Sequence, residues 1–217
     1  MSHPSEAPLR EGLAVLELNL DAHQVDQLLR YMDLIQKWNK VYNLTSLRDR
    51  AEMLTHHLLD SLSVIRPLLS QAGKRPLRLL DVGSGAGLPG VVIAICCPGI
   101  VVHCVDTVAK KAAFIQQAAA ALVLPNLRGV HARVESLLET YDVITSRAFA
   151  SLADFVNLSG AALAQDGVWM AMKGKHPAQE IHALAPAVYV FHVEQLKVPG
   201  LDAERCLIWL RRSASVT

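Results

Sequence analysis

At 217 residues, 52% hydrophobic and 19% charged, the chain holds enough apolar material for one well-cored domain plus an N-terminal extension, and too much for a disordered linker. A net charge of +1 is not that of a chain basic throughout, so any nucleic-acid contact must come from a local basic face. No uninterrupted apolar stretch approaches the roughly twenty residues that span a bilayer, and the opening Met-Ser-His-Pro-Ser-Glu lacks a basic-then-apolar export pattern. A soluble, cytoplasmic protein with no membrane partner is expected.

The first seventy residues carry helical periodicity. From Asp21, an N-cap candidate, Val25, Leu28, Leu29, Met32 and Ile35 repeat at i, i+3, i+4 spacing, with Asp26, Gln27, Arg30 and Asp33 mainly on other faces. A polar loop, Asn43 to Arg48, leads to a second helical stretch over 51–69, expected to break near Pro67. The turn Gly73-Lys74-Arg75-Pro76 then precedes the first strand. The division that follows is a helical segment, 1–72, packed on a core, 73–217.

From there strands and helices alternate. Strands are expected at 77–82, 101–105, 127–132, 141–146, 167–172, 187–194 and 205–211, and helices at 89–97, 108–122, 151–164 and 177–184. This order predicts an α/β fold, a mostly parallel seven-stranded sheet with helices on both faces. The last two strands have no helix between them, so the final strand is free to return antiparallel. Cys96 and Cys97 are adjacent on a helix, Cys104 sits in a strand and Cys206 lies far downstream, with no metal-type C-x-x-C spacing; they read as reduced core thiols. No metal ligand set is expected.

The chemistry concentrates at Asp81-Val82-Gly83-Ser84-Gly85-Ala86-Gly87-Leu88-Pro89-Gly90. An apolar strand ends in an acid and passes into a loop whose glycines admit positive φ and let a ligand touch backbone, and a helix follows. A second apolar run, Val101 to Val105, ends in Asp106, a carboxylate placed to hold a ribose diol at the neighbouring strand end. A dinucleotide fingerprint exists at Gly85, Gly87 and Gly90, but it starts late after the strand and has Pro89 inside it. The earlier pattern, Asp-x-Gly-x-Gly-x-Gly with a distal acid, resembles the S-adenosylmethionine (AdoMet) loop of Rossmann-like methyltransferases, and Gly83, Gly85 and Asp106 are the corresponding candidates. Val134-Glu135 after the third strand suits adenine: the acid accepts the exocyclic amine and backbone N–H groups address ring nitrogens.

Two other groups sit at the same sheet edge. Tyr141 to Ser146 forms a strand that delivers Arg147, and the fifth strand delivers Lys173-Gly174-Lys175; each is either a substrate contact or half of an ion pair. His56, His57, Asp60 and Ser61 complete neither a metal site nor a nucleophile elbow and read as structure or as a contact to the core. Trp38 and Tyr42, at i, i+4 spacing, read as a packed face, and Lys110 and Lys111 as a solvated one.

Taken together, Trp38-Asn39-Lys40, Asn43-Leu44-Thr45 with Arg48, His57 to Leu62, the glycine loop, Arg133-Val134-Glu135, Ser146 to Ala150 and Lys173-Gly174 resemble the glucose-inhibited division protein B family, in the family's order, over about residues 10–212. These are bacterial methyltransferases for N7 of a guanine in 16S ribosomal RNA. The resemblance implies a class I AdoMet-dependent fold and casts Gly83, Leu88, Val134, Glu135 and Arg147 as the lining of the AdoMet pocket. It also implies 16S rRNA or the small ribosomal subunit as partner, and S-adenosylhomocysteine as the second product. Arg48 and Lys173 become candidate phosphate or guanine contacts beside Arg147. Guanine N7 carries a free lone pair, so no general base is expected, and the chain is expected to act as a monomer. The competing readings are an AdoMet methyltransferase of small molecules or proteins, a non-catalytic binding module, and a nicotinamide dehydrogenase.

Overall fold

The computed structural model describes residues 3–73, 76–147, 149 and 151–213. Lys74 and Arg75 of the polar turn, and Ala148 and Ala150 of the motif after the fourth strand, lie outside the described residues.

Two helices open the chain, α1 (Glu6–Val15) and α2 (Ala22–Tyr42). The second starts where its cap predicts: Gln24 N donates to Asp21 Oδ1 at 2.8 Å and Asp21 N donates to Gln24 Oε1 at 3.1 Å, a reciprocal capping box. It ends at Asn43, whose φ of 48° closes the helix in the left-handed region. The stretch expected over 51–69 is subdivided into α3 (Arg50–Met53), a π-helical segment Leu54–Leu59, α4 (Asp60–Leu62) and α5 (Ile65–Ala72). The break falls at Ser63-Val64 and not near Pro67. Proline sits inside the first turn of α5, where its missing N–H has no intrahelical acceptor to lose.

The core follows as β1 (Leu77–Val82), α6 (Gly90–Cys96), β2 (Ile100–Asp106), α7 (Ala109–Ala121), β3 (Leu127–His131), β4 (Tyr141–Arg147), α8 (Leu152–Ser159), β5 (Leu163–Lys173), α9 (Ala178–His182), β6 (Val188–Gln195) and β7 (Cys206–Arg212). The helix expected over 151–164 is shorter, because Leu163 already pairs with Tyr141 as the first residue of β5. The seven strands lie in the order β3-β2-β1-β4-β5-β7-β6, with β7 antiparallel to both neighbours and the other pairs parallel. The order reverses between β1 and β4, so their outgoing loops diverge and leave a crevice at the carboxyl edge.

The sheet separates two apolar layers by the two-residue period of its strands. Leu79, Val102, Cys104, Val143, Met170 and Trp209 face the N-terminal helices with α6 and α7, while Leu80, Val105, Ile144, Trp169, Ile208 and Leu210 face α8. Polar side chains of α2 add a second kind of tie. Gln24 Nε2 donates to Ile95 O at 2.9 Å, Gln27 Nε2 to Leu122 O at 2.7 Å and Arg30 Nη2 to Ala121 O at 2.6 Å, satisfying carbonyls left open where α6 and α7 end. Gln27 is therefore buried, contrary to its expected place off the packed face. Trp38 packs as expected, 5.1 Å from Tyr42 and 5.4 Å from Phe114 between ring centroids.

Candidate functional site

The glycine loop adopts the backbone its sequence requires. Gly83, Gly85 and Gly87 have φ of 66°, 59° and 88°, a region costly for residues with a Cβ. A side chain at Gly83 would meet nothing nearer than Phe149 Cδ2 at 4.0 Å, and one at Gly85 nothing nearer than Gly83 O at 4.0 Å. Both glycines thus present bare backbone to open space. Gly90 differs: a Cβ there would lie 2.3 Å from Cys104 Sγ and 2.9 Å from Asp81 Oδ2, so this glycine lets α6 pack onto β1 and β2.

Asp81 and Asp106 hold the loop from either side. Asp81, fully buried, accepts from Gly90 N at 2.9 Å and so sets a carboxyl oxygen at the start of α6. Burial pushes its pKa up to about 7, opposed by the Gly90 N–H and by the positive charge of Arg147, and helped by Asp106. Asp106 accepts Gly85 N on Oδ2 at 3.0 Å and Val108 N on Oδ1 at 2.9 Å. Each oxygen keeps a second lone pair, enough for two ribose hydroxyls. Lys111 Nζ lies 3.8 Å from Asp106 Oδ2, so this lysine leans toward the acid and not only toward solvent.

The raised Asp81 pKa makes a stability prediction. Between the carboxylic value in the unfolded chain, 3.8, and about 7, the folded protein binds the extra proton, so this group's contribution to stability falls as pH rises. His57, lowered to about 4 chiefly by burial and secondly by Arg147, acts in the opposite sense: its contribution rises from about 4 to 6.5. Asp81→Asn removes only the first, and urea unfolding from pH 4 to 8 should show the variant gaining on the native protein up to about pH 7 and level above it. A pH-independent difference would contradict a buried, proton-holding Asp81.

Three clefts meet along the carboxyl edge. One of 330 Å³ is lined by Gly83, Asp106, Arg133, Val134, Glu135 and Phe149, among others. This gathers most of the residues expected to hold adenosine, and it has the concave shape and size of a small-molecule site. A second, of 140 Å³, passes over the loop past Leu44, Thr45, His57, Gly83, Ser84, Gly85, Leu88 and Arg147. A third, of 470 Å³ and more open, includes Thr45, His57, Asp60, Arg147, Lys173 and Arg205. Gly83 joins the first to the second; Thr45, His57 and Arg147 join the second to the third.

Arg147, at the end of β4, stands at that second junction. Its Nη1 donates to His56 O at 2.8 Å and to Asp60 Oδ2 at 3.1 Å, so the expected ion pair and the expected cleft position are both present. The carbonyl belongs to the π-helical segment, where widened hydrogen bonding is frequent at functional sites. Lys173 pairs with Glu180 at 2.8 Å while lining the open cleft. Arg48 is exposed and lines none of these three clefts, but its loop supplies Thr45, Ser46 and Leu47 to the open one. That loop is fixed by buried Asn39, which accepts from Thr45 N at 2.9 Å and donates to Leu47 O at 3.0 Å. Asp60, Thr45, His57 and Arg205 belong to the site beyond the sequence-derived set. Asp60 is a contact to the core, as expected, but it does not pair with His57, whose Nε2 bonds Thr45 Oγ1 at 2.9 Å.

This sheet order, with a glycine loop after β1, an acid ending β2 and an adenine-sized cleft between, defines a class I, Rossmann-like AdoMet methyltransferase. Solved structures of that fold superpose: TrmN from Thermus thermophilus at a TM-score of 0.56 and 21% identity, over 74% of this chain and 53% of that one. Coclaurine N-methyltransferase, solved with N-methylheliamine and SAH bound, superposes at 0.55 and 12% identity, over 88% and 72%. The family model described as rRNA small subunit methyltransferase G matches residues 24–208. Proteins named ribosomal RNA small subunit methyltransferase G are similar along almost their whole length. That of a Polaromonas species is 67% identical over 210 residues, 95% of this chain and 93% of its own. That of Albidiferax ferrireducens is 64% identical over 219 residues, 96% and 98%. The chain belongs to the rRNA small subunit methyltransferase G family and is, with it, an AdoMet-dependent methyltransferase.

Proposed function

We propose that the protein transfers the methyl group of AdoMet to N7 of one guanine in 16S ribosomal RNA, as a soluble cytoplasmic monomer. The observation that supports this best is the run of clefts through Gly83 and Arg147, from a nucleoside-sized pocket to an open, cation-lined face. A base carried on a polymer needs such an open approach. Gly83, Gly85, Leu88, Asp106, Val134, Glu135 and Arg147 are assigned to the cofactor, and Arg147, Lys173 and Arg48 to the RNA. Residues 1–72 and 73–217 act as one structural unit in this reading.

Bound AdoMet supplies an electrophilic methyl group on a sulfonium. The chain's own part is orientation, because guanine N7 attacks through a free lone pair and no proton has to leave first. Holding that nitrogen in line at roughly 3 Å is the proximity effect that site walls provide. Cationic side chains must avoid N7 itself, so their partners are O6 or phosphate. His57 suits this demand: burial keeps it neutral at physiological pH beside a base that becomes cationic.

The test is methyl transfer from labelled AdoMet to small subunits and to deproteinised RNA lacking the modification, followed by mapping of the base. Label at N7 of a single guanine is expected. Absence of label with intact AdoMet binding would overturn the reading and redirect the search to small molecules or proteins.

A further inference from the structure

One charge cluster in the open cleft joins Arg147 to two residues that these assignments leave unused, Asp60 and Arg205. Asp60 is almost wholly buried, its side chain 3% exposed, and each of its oxygens has a separate guanidinium: Arg147 Nη1 at 3.1 Å on Oδ2 and Arg205 Nε at 2.9 Å on Oδ1. Arg205 comes from the short segment before β7 and its Nη1 donates to Glu204 O at 2.9 Å. Its Nη2 makes no hydrogen bond among the described residues, while the side chain is 24% exposed and lines the cleft.

One cation would neutralise Asp60. The second leaves the trio with a net charge of +1 in a place where an unpaired buried charge is costly. Lys173 does not supply that surplus, since Glu180 balances it. The Nε and Nη1 contacts set the guanidinium plane and leave Nη2 to donate toward the cleft, where a phosphate oxygen suits it.

We propose that Arg205 binds an RNA phosphate next to the target guanine, and that Asp60 is the positioning residue that holds it beside Arg147. This rests on ribosomal RNA being the substrate. A backbone contact of this kind fixes the strand without reading the base.

Arg205→Gln is expected to raise KM for small subunits about tenfold, with the AdoMet Kd within about twofold of native. Losing one phosphate contact should also flatten the slope of log Kd against log salt by about 0.7 to 0.9. Because the single variant leaves Asp60 with one partner, the decisive comparison is Asp60→Asn against Asp60→Asn/Arg205→Gln, where no buried carboxylate is stranded. The double variant should bind RNA more weakly than Asp60→Asn and with the flatter salt slope. Equal binding by that pair would reduce Arg205 to a counter-ion and overturn the inference, as would a weaker affinity with an unchanged slope. Failure of the native protein to methylate RNA would sink the substrate reading instead, so the two failures are distinguishable.

Discussion

Arg147→Ala is expected to lower methylation of ribosomal RNA by about a hundredfold or more, the scale on which a reacting group misplaced by an ångström loses rate. The substitution removes the side chain at the junction of the loop cleft and the open cleft, and releases both His56 O and Asp60 Oδ2. The fold should survive. Asp60 keeps Arg205, so the cost is that of two charge-assisted hydrogen bonds, about 1.5 to 3 kcal/mol each, and a fall in Tm of roughly 2 to 4 °C per kcal/mol. Single-turnover methylation and a melting curve on the same preparation check both halves. Retention of most activity would remove Arg147 from the site.

Gly83→Val is expected to weaken cofactor binding severely while sparing the fold. A β-branched residue at φ of 66° carries strain of about 1 to 3 kcal/mol. Its Cβ, however, meets no protein atom closer than 4.0 Å and projects beside backbone that lines both inner clefts. The AdoMet Kd should rise by about two orders of magnitude, equivalent to roughly 3 kcal/mol, as titration calorimetry would measure. A near-native Kd would show that the cofactor does not approach this strand end. Gly90 makes the contrast, because there the crowding is with Cys104 and Asp81 inside the protein.

Much of this candidate site is legible in the sequence. Leu77 to Val82 begins and ends as expected because an apolar run closed by an acid and a glycine has little freedom of register. Gly83, Asp106, Val134 and Glu135 converge on one cleft because a parallel sheet with this order brings strand ends together. What stayed hidden depended on long-range contacts. Asp60 and Arg205 are 145 positions apart, and no spacing rule links a residue of the helical segment to the turn before β7. Likewise Gln27 is polar and, from its helix position alone, reads as solvated; the open carbonyl of Leu122 that buries it lies 95 residues away.

The N-terminal helices do more than cover the sheet. Tyr31, fully buried in α2, donates its hydroxyl to Ala86 O at 2.6 Å, in the middle of the glycine loop. A group that grips the loop in this shape therefore also favours the docked position of α2, and by reciprocity a loosened α2 weakens that grip. The loop and the helix share one equilibrium, so cofactor binding is expected to appear as added protection against local opening along α2.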